Sequence, residues 1–328
     1  MRVESLKNAD RKAIAEALRV GESVELFLSE KLGRGSRAQR NLRLDEIVPL
    51  CASADSDDPD LKEHMDRCRA PAAGDRRPET VTVVIPTHRR VPLGVPALSS
   101  QDMDVRIIVL SNGEGPTEVD GAEVQRVEWL GHGATRAAVL DDIDSEFVFF
   151  TVDDAIPMGD GFLRTLVEGL ESGLWDAAVA RQIPWPDADA VTSSRLRRWT
   201  PPGSQVIAMS QTDHVGTLYR TETLRKFPLP AVPIAEDAWW SQGRDVAYVP
   251  MAPILHSHAR EVGALFRRNR DIHEQLIAMG QQPAVPSFAA LLAAVPGTIR
   301  PALTVGPNEW INQLAELAGQ WRGAIKQK

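Results

Sequence analysis

The chain has 328 residues and only two cysteines, Cys51 and Cys68. Both fall in a polar stretch without metal-ligand spacing, which argues against a disulfide framework or a cysteine-held metal and leaves free thiols. No apolar run approaches the roughly 20 residues needed to cross a bilayer. The first ten residues are too polar for a secretory leader. These absences predict a chain without a transmembrane span, in the cytoplasm or held peripherally at the inner face of the membrane. Basic residues are in deficit, with 37 Lys and Arg against 45 Asp and Glu for a net charge of −8, so a nucleic-acid partner is not expected. A zinc hydrolase would need a third protein ligand, and no His-Glu-x-x-His or cysteine pair supplies one. No Gly-rich, Lys-containing loop follows the first strand-like run, which disfavours a nucleotidyltransferase. No internal repeat is evident.

What remains is an ordinary soluble balance, 43% hydrophobic and 25% charged. At roughly 150 residues per domain, the length suits two domains or one large domain with additions. Residues 1–78 read as a mainly helical N-terminal extension and linker, with Ile14 and Leu18 at helical spacing and an Asp-, Arg- and Pro-rich connection from Ser53 to Pro78. Residues 79–260 alternate strand-like and helix-like segments. Val81–Ile85, Val105–Leu110 and Phe147–Val152 are β-rich runs, and Leu93–Gln101, Ala134–Leu140 and Phe162–Ser172 are helical. That alternation predicts an α/β domain with parallel strands and helices on both faces. Arg181–Gly203 looks too irregular for a packed element and suits a lid or acceptor loop, while Ala247–Pro250 and Ile254–His258 read as two short strands. Residues 261–328 form a helical C-terminal region, in which the stripe from Trp310 to Ile325 fits core packing or a homodimer contact better than a membrane surface.

Phe147–Val152 ends on two adjacent carboxylates, Asp153 and Asp154. A buried strand cannot shelter two unpaired charges, so they belong at its C-terminal mouth, where open α/β sheets bind ligands. Carboxylates there suit Mg²⁺ or Mn²⁺ completed by water and phosphate oxygens, although Asp-Asp before Ile-Pro is also good turn chemistry. Glu236 and Asp237 form a second acidic pair behind a Pro-rich loop, with Trp239 following. They read as a helix N-terminus or as acid–base groups. His256 and His258, two apart on a strand, can project to one side.

Val83-Val-Ile-Pro-Thr-His-Arg-Arg90 resembles the first strand and nucleotide loop of family-2 glycosyltransferases with the GT-A fold. Ile107–Gly113, Gly133–Ala138 and Thr151–Pro157 are similar, in order, to that family's second strand, its Gly-x-x-x-Ala-Arg-Asn type helix start and its Asp-x-Asp motif. Ala180–Asp187, Ala235–Trp239, Tyr248–Pro250, His256–His258 and Leu265–Arg268 look most like rhamnosyltransferase-type members. The likeness covers about residues 81 to 280.

The resemblance implies a GT-A-type nucleotide-binding sheet with flanking helices. It also implies an inverting, metal-dependent transfer from a nucleotide diphosphate sugar, dTDP-rhamnose being one candidate, to a hydroxyl acceptor. The acceptor class spans a glycan, a lipid-linked precursor, a carrier-bound metabolite and a small-molecule metabolite. Asp237 would be the base and Glu236 its orienting partner, with Asp154, His256 and His258 toward Mg²⁺ or Mn²⁺. Pro86, Thr87, Arg89, Asn112, Arg136, Asp153 and Arg267 would serve the donor, and Arg181, Gln182, Trp185, His214 and Trp239 the acceptor or a lid. For Trp185 a buried anchor is an equal reading, and for Arg267 a solvated helix face. The family's first acidic position falls on Val152, so the alternative function is a non-catalytic sugar-nucleotide-binding or scaffold protein of the same fold.

Overall fold

The computed structural model describes residues 80–88, 90–185, 188, 190–257, 261–305 and 307–326. The expected N-terminal extension, both cysteines, Arg89 and His258 lie outside the described residues.

Among the described residues, nine strands form one sheet. Its strands are β1 (Thr80–Thr87), β2 (Asp104–Ser111), β3 (Glu123–Arg126), β4 (Phe147–Thr151), β5 (Ile156–Pro157), β6 (Ala177–Ile183), β7 (Ile207–Met209), β8 (Gly216–Arg220) and β9 (Val246–Leu255). The order is β3-β2-β1-β4-β8-β6-β9-β5, with β7 paired to β9. Strands β3, β2, β1 and β4 are parallel, so the alternation in sequence reports the first half correctly. The all-parallel expectation fails beyond β4, because β8 runs antiparallel to both β4 and β6. Strand β8 follows an irregular connection rather than a βα repeat, so periodicity carried no signal of its direction.

Helices α1 (Val95–Ser99), α2 (His132–Ala137), α3 (Phe162–Glu171), α4 (Ala190–Trp199), α5 (Thr221–Lys226) and α6 (Glu236–Trp240) flank the sheet. Helices α7 (Val262–Ala278), α8 (Phe288–Val305) and α9 (Pro307–Lys326) make the C-terminal part. None of the described helices is long and apolar enough to cross a membrane.

The two-residue period of β4 builds a core on each face of the sheet. Phe147 and Phe149 face one way, with Val83, Ile85 and Leu166. Phe149 meets Phe162 of α3 edge-on at 5.5 Å. Val148 and Phe150 face the other way, with Val84, Leu110, Tyr219 and Trp240.

Arg181–Gly203 is not irregular: it contains the end of β6 and all of α4. The two short strands expected near residues 247–258 are one strand, β9, whose prolines disguised it in sequence. Its partner register jumps from Ala180↔Val249 to Arg181↔Pro253, and this bulge absorbs residues that cannot all donate to a ladder.

Candidate active site

Strand β1 has β2 on one side and β4 on the other, so the chain direction of construction reverses between β1 and β4. The crevice beyond the C-terminal ends of those strands is where an open α/β sheet binds ligands. Thr87 ends β1 beside Ser111 of β2, and Asn112 continues from there, its N–H donating to the Thr87 carbonyl at 3.0 Å. Arg126, at the end of β3, donates to Ser111 Oγ and to the Gly113 and Gly115 carbonyls at 2.8–3.0 Å. It braces the loop after β2 and was missed in sequence, because its three acceptors converge only through strand pairing.

Asp153 and Asp154 leave β4 in different directions. Asp153 accepts the Thr87 hydroxyl at 2.8 Å and lies 3.4 Å from Arg90 Nε, latching β4 to the end of β1. Burial raises its pKa, opposed by Arg90 and Thr87. Asp154 is buried, with Oδ1 3.6 Å from His256 Nε2. On the far side of that ring, His256 Nδ1 stands 3.1 Å from Gln182 Oε1, and Gln182 Nε2 donates to Asp213 Oδ2 at 2.7 Å. An amide oxygen only accepts, so Nδ1 carries a proton, and the ring turns Nε2 toward Asp154. A carboxylate oxygen and an imidazole nitrogen at this spacing can share a proton or ligate one cation, and the two are a suitable partial donor set for Mn²⁺ or Mg²⁺. The described residues contain no group of three or more His, Cys, Asp or Glu side chains able to hold a metal, so most of the coordination sphere would come from outside that pair.

A cavity of about 510 Å³ opens beside this pair. His256, Gln182 and Val152 line one part, and His132, Arg136, Asp213, His214, Glu236 and Asp237 another, while α4, α7 and α9 close it. Glu236 sits at the heart of a buried network. Its Oε1 lies 3.2 Å from Arg136 Nη1 and 2.9 Å from His214 Nδ1, and His214 Nε2 meets the Tyr219 hydroxyl at 2.9 Å. Burial would raise the Glu236 carboxyl, but the His214 hydrogen bond and the charges of His214 and Arg136 overcome it and hold the pKa low. Asp237 is half-buried, and its Oδ1 accepts the Ala238 N–H at 2.8 Å. Burial first, then the neighbouring Glu236 and Asp213 charges, lift its carboxyl from 3.8 to about 6 against the pull of His214. The two adjacent acids are thereby split into a permanently charged anchor and a group that exchanges protons near neutrality.

Local backbone aims this pair. Ala235 precedes α6 at φ 64°, the left-handed region that costs a β-carbon residue roughly 1–2 kcal/mol, so surrounding contacts must hold it there. Gly133 of α2 lets Glu236 approach, since a β-carbon there would stand 2.4 Å from the Pro230 carbonyl oxygen and 2.9 Å from Glu236 Cβ.

The other expected site residues take the following positions. Arg136, expected at the donor, is engaged by Glu236. His214, expected at the acceptor, lies buried between Glu236 and Tyr219, while its ring still borders the cavity. Gln182, expected at the acceptor or a lid, is buried at the cavity wall between His256 and Asp213. Trp185 is fully buried, and its backbone N–H donates to Ser257 Oγ at 2.9 Å. Arg181 is half-buried at the bulge. Trp239 is exposed on α6 beside the buried Trp240. Arg267 is exposed and outside the cavity lining, where Arg268 stands instead. Pro86, half-buried, closes β1 before Thr87. His132 lines the cavity and went unnoticed in sequence; its pKa is lowered to about 4, chiefly by burial, so it is neutral at ordinary pH.

No protein-family model and no curated protein sequence matches the chain. Solved structures do. PcManGT, a mannosyltransferase from Pyrobaculum calidifontis in complex with GDP-Man and Mn²⁺, superposes with a TM-score of 0.50 at 16% identity, covering 96% of this chain and 98% of that one. GalNAc-T7 with UDP, GalNAc and Mn²⁺ overlaps at 0.47 and 10% identity, covering 73% of this chain and 57% of that one, too loosely to support more. TarS from S. aureus in complex with UDP-GlcNAc overlaps at 0.40 and 12% identity, covering 74% of this chain and 91% of that one, and is looser still. At such identity the likeness is one of fold, and the fold is that of the GT-A glycosyltransferases.

Proposed function

We propose that this protein transfers a sugar, with inversion, from a nucleotide diphosphate sugar to a hydroxyl acceptor. The observation that carries the reading is a proton-exchanging carboxylate, Asp237, lining the same cavity as His256, whose Nε2 lies 3.6 Å from Asp154. The nucleotide would lie along the ends of β1 and β2, over Thr87 and Asn112. The GDP-Man and Mn²⁺ held by the Pyrobaculum protein support this donor class, and the resemblance around residues 180–187 makes dTDP-rhamnose the first donor to try. A divalent ion bound to Asp154 and His256 would supply positive charge toward the departing diphosphate. Asp237 takes the proton of the acceptor hydroxyl as that oxygen bonds to the anomeric carbon and the carbon–diphosphate bond breaks. Glu236, fixed by Arg136 and His214, keeps its charge and orients Asp237 and the acceptor.

The test is calorimetry of nucleotide diphosphates and nucleotide sugars with and without Mn²⁺, followed by assay of released nucleotide diphosphate. Donor affinity should rise with Mn²⁺ in the wild type and lose that dependence in Asp154→Ala. Equal affinity with and without the ion in the wild type would remove the metal from the reading. Donor binding without nucleotide release for any acceptor would favour the binding-protein alternative, to which the apolar Val152 in the cavity wall points.

A further inference from the structure

The imidazole of His256 can offer Nε2 to an ion only if Nδ1 keeps the proton, and the fold contains a device that decides this. Asp213, just before β8, accepts the Val215 N–H on Oδ1 at 3.0 Å and the Gln182 amide N–H on Oδ2 at 2.7 Å. Both carboxylate oxygens are engaged by donors, so the Gln182 amide cannot turn over without facing its oxygen to a carboxylate oxygen. Its Oε1 is therefore left toward His256 Nδ1 at 3.1 Å. Gln182 and His256 are both buried side chains, packed against these partners at the cavity wall. The β-bulge beside Arg181 brings Gln182 to this position, and His256 is held by its backbone N–H on the Ile183 carbonyl at 2.7 Å.

We propose that Asp213 and Gln182 are positioning residues that lock the tautomer of His256, so that its Nε2 lone pair is permanently presented to a divalent cation beside Asp154. The inference rests on the metal reading above for its consequence, while the tautomer lock itself can be measured without a metal. Such partners of a metal-ligating histidine set its orientation and basicity.

The lock makes an asymmetric prediction. In Asp213→Asn, the amide keeps its oxygen on the Val215 N–H and turns its NH₂ toward Gln182. Two NH₂ groups then meet, the Gln182 amide flips, and its NH₂ faces His256 Nδ1. The ring proton moves to Nε2. Gln182→Glu combined with Asp213→Asn restores the pattern, because the new amide donates to the new carboxylate and that carboxylate accepts from Nδ1–H. Nitrogen-15 NMR of the histidine rings in metal-free protein, assigned with His256→Ala, should show the proton on Nδ1 in the wild type and the double variant, and on Nε2 in Asp213→Asn. Mn²⁺ affinity, measured without donor, should fall roughly 10- to 100-fold in Asp213→Asn and return to within a few-fold in the double variant. An unchanged tautomer in Asp213→Asn overturns the lock, even where His256→Ala abolishes Mn²⁺ binding. A shifted tautomer with Mn²⁺ affinity unchanged in both Asp213→Asn and His256→Ala overturns the metal reading and leaves the lock standing. Should Asp213→Asn not fold, the double variant decides the matter alone, because loss of the Nδ1 proton there overturns the lock.

Discussion

At the residue scale, Asp237 joins chemistry to stability through one displaced pKa. A carboxyl raised from 3.8 to about 6 in the folded chain binds its proton more tightly folded than unfolded. Folding therefore gains from this group below the unfolded pKa and loses that gain as pH rises through about 6. Asp237→Asn should accordingly melt higher than the wild type at pH 8, with the difference closing below about pH 4. The same change should leave donor affinity within a few-fold and lower turnover by a factor of roughly 10² to 10⁴, the usual contribution of a general base. Wild-type kcat should climb with pH through about 6 and then level off. Turnover surviving in Asp237→Asn would remove it as the base. Glu236 has the opposite sign. Its lowered pKa contributes stability at neutral pH that is lost only in strong acid, as the carboxyl protonates. Glu236→Gln should therefore destabilise the protein at pH 7 by leaving Arg136 buried without its counter-charge, visible as a lower melting temperature.

Among the elements, the short helix α6 matters because it carries Glu236 and Asp237, entered through Ala235 at φ 64° and packed closely against Gly133. Gly133→Ala puts a methyl 2.4 Å from the Pro230 carbonyl oxygen, a backbone atom that cannot swing aside. The expected result is a loss of about 1–3 kcal/mol in denaturant unfolding, with turnover falling more steeply than donor affinity. Equal wild-type stability would show that α2 and α6 do not meet as described. Sequence disclosed β1, β2 and β4, where β-branched and aromatic runs are bounded by turn residues, and it disclosed α3 by helical spacing. It did not disclose α4 or the continuity of β9. Helix α4 is rich in Arg and Ser, and Pro250 and Pro253 interrupt the strand pattern that the bulge at Ala180 and Arg181 then accommodates. The bulge matters for the site, because it delivers Gln182 to His256.

For the molecule as a whole, α7 and α9 wall the cavity as a closely packed pair. Gly319 and Gly323, four residues apart on α9, bring its backbone against α7. A β-carbon at Gly319 would lie 2.4 Å from the Phe266 carbonyl oxygen and one at Gly323 2.5 Å from that of Arg270. Gly319→Val should lower the melting temperature and increase amide hydrogen exchange in α7 while β1, β2 and β4 stay protected. A bidentate pair between Arg195 of α4 and Glu316 of α9 spans the cavity wall. Binding of the right donor with Mn²⁺ to this site should raise the melting temperature by the equivalent of about 2.7 kcal/mol at a hundredfold excess over Kd. No shift from any nucleotide diphosphate or nucleotide sugar would count against the donor class. The sequence by itself determined the strand–helix alternation, the placement of Asp153 and Asp154 at a strand mouth and the acidic pair at Glu236 and Asp237, because such features are written in local residue order. Only the tertiary structure decided which carboxylate faces His256, that Arg136 serves Glu236 and that Asp213 reaches His256 through Gln182. Those assignments depend on side chains from β4, β6, β8, β9 and α2 arriving within hydrogen-bond reach of one another, and that distance does not exist until the sheet is assembled.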